Sequence, residues 1–428
     1  MDWDHSLHNY DDFHKCSIHR YLRTGLPFLD DVHPITFEEY NDRRNRLAQA
    51  LVQEGLDAFI VEPGYTFQYY ANVSQMDWEP WEPEERPFLM IISPAQSANH
   101  QLTAYTRFLA PAIEAERVRL LSMPFQDEIE IVTYEEHWDP YATLYNNALT
   151  GCASSPRIMV DEEMRDFIQR GLGRNGFEVV GLGGEVEKVR QLKSRSEVDI
   201  LRAVNTGTVE SIRAMRPCMI PGLTEKQVRQ ALDDTLRAGG LEPFFDVVLF
   251  DENASSPHGG TNGTKRLDAD TFVLIDVGAH LHGYSSDVTR TFFPPFNSPQ
   301  TNGTHLKEKL KVWNIVLDAQ TASIARFREN NAAASVDIAA RKIVEDAGYG
   351  KDFTHRLGHG IGIKAHESPY LNKGNSNDTL RPGMVFTSEP GIYLVDQFGV
   401  RHEDVFLVRD GIEAECLSGT RAVDPWNP

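Results

Sequence analysis

Short apolar runs bounded by turn residues alternate with stretches of helical period along most of this chain. That alternation restricts it to folds in which helices cover a sheet. In the first half, Thr36 caps a helix from Phe37 to about Glu54, and Gly55 stops it. Strands are expected at Leu56–Val61, Phe88–Ile92, Arg157–Val160 and Phe177–Val180, with helices near 111–121 and 138–148. Residues 36–185 therefore read as a small α/β domain. A second domain, 186–428, opens with an amphipathic helix over Ser196–Met215. Another helix follows Pro221, with Thr224 and Gln227 spaced as a capping box. Strands at Asp246–Phe250, Thr271–Val277, Val288–Phe293, Met384–Glu389 and Val400–Val408, with helices over 305–329 and 335–346, give this half α+β character. Two-helix-plus-hairpin units recur in it, and 428 residues are ample for two cores.

Three segments stand outside that plan. Residues 1–35 are polar, carry His5, His8, His14, His19 and His33, and show no periodicity. They read as an N-terminal extension, a loose terminus or an arm on a partner, with a metal-binding tail as the alternative. The acidic, proline-containing stretch Asp77–Glu85 reads as a loop with two exposed indoles, Trp78 and Trp81. They serve as a contact surface or pack back on their own domain. Gly171-Leu172-Gly173-Arg174-Asn175-Gly176 matches G-x-G-x-x-G, but it follows a helix and precedes a strand. A dinucleotide fingerprint needs the reverse order, so this is a turn.

Charge excludes some partners. With 42 Lys and Arg against 63 Asp and Glu, the formal charge of −21 opposes nucleic-acid binding and adhesion to anionic membranes. No apolar run approaches the ~18 residues of a membrane span, and Met1-Asp2-Trp3-Asp4 lacks a secretory-signal pattern. Cys16, Cys152, Cys218 and Cys416 are too few and scattered for a disulfide framework. Acceptor sequons at Asn72, Asn253, Asn262, Asn302 and Asn377 tilt mildly toward the secretory route. The compartment is left open between cytoplasmic and secretory.

Five acid or imidazole residues in the last third lie where chemistry could use them. Asp276 follows the apolar run Phe272-Val273-Leu274-Ile275, and Asp287 follows the turn His282-Gly283-Tyr284. His359 sits in the glycine-flanked segment His355–Gly360, Glu389 precedes Pro390-Gly391-Ile392-Tyr393, and Glu403 lies in Val400–Asp404. Paired strands could point both aspartates into one cavity, and a second strand pair could do the same for the glutamates. Four carboxylates and one imidazole carry more negative charge than one divalent ion needs, whereas two ions sharing carboxylates balance it. Hard oxygen ligands favour Mn²⁺ or Co²⁺, with Zn²⁺ as the alternative. Singly, each residue is more often a cap or a surface charge; the set in this order is what carries the reading.

In these motifs the chain resembles the pita-bread metallopeptidases: aminopeptidase P, prolidase and methionine aminopeptidase, with creatinase as a metal-free relative. The resemblance covers about 186–428. It implies a creatinase-like α/β N-terminal domain and an α+β pita-bread catalytic domain. It also implies that Asp276 chelates the first of two divalent ions, Mn²⁺ before Co²⁺ or Zn²⁺. Asp287 and Glu403 would bridge the two, and His359 and Glu389 would complete the second, with Glu389 relaying a proton. His258, His355 and His366 would line the substrate cavity, and Arg401 would orient a carboxylate.

An intact ligand set argues against the metal-free relatives, and the N-terminal domain argues against a methionine aminopeptidase. The resemblance then implies cleavage of an Xaa-Pro bond, in dipeptides or at the N-terminus of peptides. Ordinary peptidases reject that bond, because the imide nitrogen lacks N–H and fixes φ. The expected partner is a peptide or dipeptide with proline second, acted on by a homodimer. A lyase or hydrolase of this fold acting on a small non-peptide substrate, and a non-catalytic binding module, are the alternatives.

Overall fold

The computed structural model describes residues 6–79, 81–97, 99–148, 155–297 and 304–428. Met1–Asp4, His5, Pro80, Cys152 and the Asn302-Gly303 pair lie outside them. The chain divides into two compact units, Ile35–Arg190 and Gln191–Pro428, and the second also takes in Met1–Pro34.

In Ile35–Arg190, the helix Phe37–Glu54 begins where Thr36 Oγ1 accepts from the Glu39 amide and ends at Gly55, φ +65°. It packs Tyr40, Leu47 and Leu51 inward. The sheet beside it has six strands, in the order Glu130–Tyr134, Leu102–Pro111, Leu89–Gln96, Ala58–Val61, Arg157–Val160, Glu178–Val180. Ala58–Val61 sits near the middle, antiparallel to Leu89–Gln96 and parallel to Arg157–Val160. The buried stretches of Ala58–Val61, Leu89–Gln96 and Arg157–Val160 gave apolar runs legible in the sequence. Leu102–Pro111 and Glu130–Tyr134 were not legible, because they are half-buried toward the edge and mix polar with apolar residues. The 77–85 loop needs correction as well. Trp78 is buried, closing a short helix Gln75–Trp78 with a Ser74–Asp77 capping box, and only Trp81 is exposed. The glycine motif at 171–176 ends the helix Asp166–Arg174 and turns, at Gly176 φ +94°, into Glu178–Val180.

In the other unit, the described part of the extension is built around a regular helix. Asn9 caps the helix Tyr10–Leu22, which buries Phe13, Ser17 and Tyr21. Tyr21 donates to the Gly207 carbonyl at 3.0 Å, and His14 Nε2 meets Asp234 Oδ2 at 2.9 Å. Cys16 is joined to Cys218 by a disulfide across 202 residues. A loop that long takes a large entropy from the unfolded chain, worth roughly 2–5 kcal/mol. Cysteine spacing could not announce this bond, because a single long-range pair has no local pattern.

Two helix-and-sheet halves follow. Arg195–Met215 starts at a Ser194–Glu197 capping box, and Glu225–Ala238 at the expected Thr224–Gln227 box. They precede the antiparallel strands Glu242–Phe250, Val273–Leu281 and Val288–Phe292. In the second half, Thr304–Ile324 and Ala333–Asp346 pack over a five-stranded sheet. Its order is Glu367–Leu371, Gly358–Gly360, Val385–Ser388, Asp404–Leu407, Glu415–Cys416. Trp313, Phe327, Phe386, Phe398 and Phe406 form much of that core. The expected Val400–Val408 strand is two strands. Phe398–Arg401 pairs with Gly391–Leu394, and Asp404–Leu407 pairs with Val385–Ser388. The break at His402-Glu403 faces the break at Glu389-Pro390, where the chain passes between sheets. A backbone bridge from Thr289 to Glu403 ties the two halves together.

Candidate metal centre

Those breaks and strands aim five side chains at one place. Asp276 lies mid-strand, opposite Thr289, and Asp287 lies just before the strand that carries Thr289. The Asp287 amide donates to Asn205 Oδ1 at 3.1 Å, which fixes the aspartate from the long helix behind it. His359 stands on Gly358–Gly360, where a Cβ on Gly358 would come within 2.2 Å of the Thr387 carbonyl oxygen. Only glycine allows that approach. Glu389 donates its amide to the Leu357 carbonyl at 2.8 Å, and Glu403 donates its own to the Thr289 carbonyl at 3.1 Å.

The side chains form three overlapping groups, each with ligand atoms within 4.8 Å of one another. They are Asp276 with Asp287 and Glu403, His359 with Glu389 and Glu403, and Asp287 with His359 and His366. Asp287, His359 and Glu403 are each shared by two groups. His359 Nε2 is 3.5 Å from both Asp287 Oδ2 and Glu389 Oε1. Its Nδ1 lies 3.1 Å from the Gly360 carbonyl, which can only accept. Nδ1 therefore carries the proton, and the Nε2 lone pair faces two carboxylates. Burial, then the neighbouring His366 and Arg356, holds His359 well below the usual imidazole range, so the 3.5 Å contacts are not ion pairs.

The carboxylates are crowded in the same sense. Burial, then Asp276 and Glu389, pushes Asp287 well above the usual range. Burial, then Asp287, Glu389 and Asp276, does the same to Glu403. Burial, above all, raises Glu389 to about 8. Two oxygens, Asp276 Oδ1 and Glu403 Oε1, are buried with no hydrogen-bond partner. An unpartnered buried carboxylate oxygen is costly unless a cation takes it. Orphaned oxygens, a lone pair aimed at acids and shared carboxylates all fit divalent cations. The residues that could hold them are Asp276, Asp287, His359, Glu389 and Glu403, with His366 beside them.

Around this group runs a hydrogen-bonded chain. Arg401 Nη2 meets Asp276 Oδ2 at 2.6 Å, its Nε donates to Thr289 Oγ1 at 3.0 Å, and its Nη1 donates to the Tyr393 hydroxyl at 2.7 Å. Thr289 Oγ1 donates to Glu403 Oε2 at 2.7 Å. His355 Nδ1 must donate to the Arg356 carbonyl at 2.7 Å, so its Nε2 accepts from the Tyr393 hydroxyl at 2.8 Å. Burial, followed by Arg401, lowers His355 to about 3. Its 4.0 Å approach to Glu389 Oε2 is thus a contact with a neutral ring. Of the remaining expected residues, His366 is exposed, stacks edge-on against His359 at 4.2 Å, and reaches to 4.0 Å from Asp287 Oδ2. His258 is exposed on the loop after Asp251–Ser255, where its charge bears on His355 and His366.

Sequence reasoning missed Thr289, Tyr393 and Asn205. Thr289 carried a signal, standing two residues after Asp287 on a strand and so on its face. Tyr393 and Asn205 carried none, since their partners come from distant elements.

The chain matches the model of metallopeptidase family M24 over residues 199–410. An uncharacterized peptidase of Schizosaccharomyces pombe is 40% identical over 408 residues, 94% of this chain and 86% of the relative. Among solved structures, a dipeptidase from Mycobacterium ulcerans superposes with a TM-score of 0.78 at 27% identity, covering 91% of this chain and 98% of that one. A prolidase from Thermococcus sibiricus does so at 0.74 and 25% identity, covering 89% and 97%.

Proposed function

Because this chain belongs to metallopeptidase family M24, we propose that it hydrolyses the Xaa-Pro bond, in dipeptides first and at the N-terminus of longer peptides second, with two divalent ions. The observation that carries this reading is the pair of orphaned oxygens, Asp276 Oδ1 and Glu403 Oε1, inside three ligand groups that share members. Sharing favours two ions over one. Likeness to a dipeptidase and a prolidase favours the proline bond.

Asp276, Asp287 and Glu403 would hold one ion, and His359, Glu389 and Glu403 the other, with Asp287 shared; Mn²⁺ suits the oxygen-rich set. Bound there, the ions would supply Lewis acidity and an activated water. The protein does the rest. Arg401 holds Asp276 in place, and Thr289 fixes one oxygen of Glu403 so that the other stays free. The proline nitrogen leaves as an amine and needs a proton. Glu389 Oε2, on the side away from His359, would take one from the water and pass it to that nitrogen. His366 and His258, both exposed, would meet the substrate, while Tyr393 holds His355 at the cavity wall.

The test strips the protein with chelator, restores Mn²⁺, Co²⁺ or Zn²⁺ separately, and follows Ala-Pro beside Ala-Pro-Ala. Mn²⁺-restored cleavage, faster on Ala-Pro, is expected. Faster cleavage of Ala-Pro-Ala would instead make the enzyme an aminopeptidase. Metal uptake with neither peptide cut would sink the proline reading.

A further inference from the structure

One buried carboxylate outside the metal centre directs its hydrogen bonds to a single loop. Glu225 opens the helix Glu225–Ala238 and is 1% exposed. Its Oε1 accepts from the Phe250 amide at 2.7 Å and from Asn253 Nδ2 at 2.9 Å, and its Oε2 accepts from Thr261 Oγ1 at 3.2 Å. An acid in the first turn of a helix ordinarily serves that helix's own amides. Here all three donors belong to residues 250–261. Burial outweighs them and raises the carboxyl above its usual range, so the group stands there at a cost in stability.

That loop carries His258. The turn around it is closed by the Gly259 amide donating to the Ser256 carbonyl at 3.1 Å and by Ser256 Oγ donating to the Gly259 carbonyl at 2.9 Å. Gly259 and Gly260 stand at φ +76° and +97°. Two successive left-handed glycines leave the turn free to swing unless its limbs are held. The start of the helix Glu225–Ala238 holds both. Glu225 takes the incoming limb at Phe250 and Asn253 and the outgoing limb at Thr261, and the Lys226 amide donates to the Gly263 carbonyl at 3.0 Å. On the metal side, Arg401 Nη2 donates to the Pro257 carbonyl at 3.3 Å while it binds Asp276 Oδ2 at 2.6 Å. A Cβ on Gly399 would strike the Ala254 carbonyl oxygen, so the loop lies directly on the strand Phe398–Arg401.

We propose that Glu225 is a positioning residue for the reaction: by gripping both limbs of the loop, it sets His258 where it meets the substrate. One carboxylate joined to residues 250, 253 and 261 fixes the distance between the limbs. With Pro257 also pinned to Arg401, the turn is held at its two ends and its middle. The inference rests on the reading that His258 meets the substrate, and not on which peptide is cut.

The experiment compares the full-length Mn²⁺-loaded protein with Glu225→Ala, Glu225→Gln, His258→Ala and the double variant Glu225→Ala/His258→Ala, at equal metal content. It measures kcat/KM on Ala-Pro and Ala-Ala. It also follows the His258 ring resonance, assigned by its loss in His258→Ala, in substrate-free protein carrying isotope-labelled histidine. Misplacing a substrate-contacting group by about 1 Å costs up to about a hundredfold, so kcat/KM should fall about tenfold to a hundredfold in Glu225→Ala. Glu225→Gln keeps an acceptor for Phe250 and Asn253 and should restore most of the rate. Because the two residues act as a unit, Glu225→Ala should add little in the His258→Ala background. The His258 resonance should move in Glu225→Ala while that of the buried His402 stays. A wild-type rate in His258→Ala, effects that multiply in the double variant, or an unmoved His258 resonance would overturn the proposal. If Glu225→Ala does not fold, Asn253→Ala loosens the same grip from the loop side and takes its place. If Ala-Ala is cut but no proline peptide, the proline reading fails alone, and the same variants on Ala-Ala still decide Glu225. If neither peptide is cut, the His258 resonance decides it.

Discussion

Buried charge is handled in opposite ways around Arg44 in one unit and at the metal centre of the other. In Ile35–Arg190, Arg44 is buried, donates to the Tyr70 carbonyl at 2.7 Å and the Pro124 carbonyl at 2.9 Å, and stacks on Phe125. Asp161 accepts from Thr66 at 3.0 Å. Each of these two charges has hydrogen-bond partners of its own. In the M24 unit, Asp276, Asp287, Glu389 and Glu403 are brought together, and two of their oxygens are left without partners. Burial that serves stability satisfies its groups locally; burial that serves chemistry leaves them short of a ligand. Buried charge alone therefore does not mark a site. Convergence without satisfaction does.

The sharpest way to break that contrast is Asp287→Ala. Losing a shared ligand should cost several kcal/mol of transition-state stabilisation, a fall in kcat/KM of about a thousandfold. In chelator, the variant should melt no lower than the wild type, because removing one carboxylate relieves three others. A metal-free melting temperature that drops sharply would show that the cluster is structural.

The opposite pattern is expected at Arg44. Arg44→Met leaves two buried carbonyls without a donor and should cost about 2–4 kcal/mol in denaturant melts. The Mn²⁺ affinity of the folded protein should be unchanged. Weakened metal binding in this variant would erase the distinction between the units.

A smaller effect probes the boundary of the rule. Asp246, on the strand Glu242–Phe250, lies beside Asp233, and burial, then that neighbour, raises it to about 6. Arg229, 3.4 Å away and half-exposed, does not offset this. An acid whose folded pKa lies above its unfolded value stabilises fully below about 3.8, and that stability is lost as pH rises through about 6. Asp246→Asn should thus be more stable than the wild type above pH 6 by about 1 kcal/mol, after allowance for solvent screening, and should lose the difference near pH 4. Parallel stability curves for the two proteins from pH 4 to 8 would count against it.

Much of this molecule was written locally. Capping at Thr36 and Thr224, the stop at Gly55, and the apolar runs at Ala58–Val61 and Val273–Val277 each depend on neighbours a few residues away, so periodicity and capping chemistry expose them. The candidate ligands were legible as residue types in fitting stretches, and all five converge in space. The burial of Trp78 beside an exposed Trp81 was not legible, nor was the break that sets Glu403 between two strands of different sheets.

By itself, then, the sequence determined the order of helices and strands and the chemical identity of the groups available to a metal. Tertiary structure decided which of them meet. It joined Cys16 to Cys218 across 202 residues and set Tyr393 between Arg401 and His355. Those outcomes depend on strand register and on which loops close. No residue reports either through its near neighbours, because register and loop closure are properties of the whole chain.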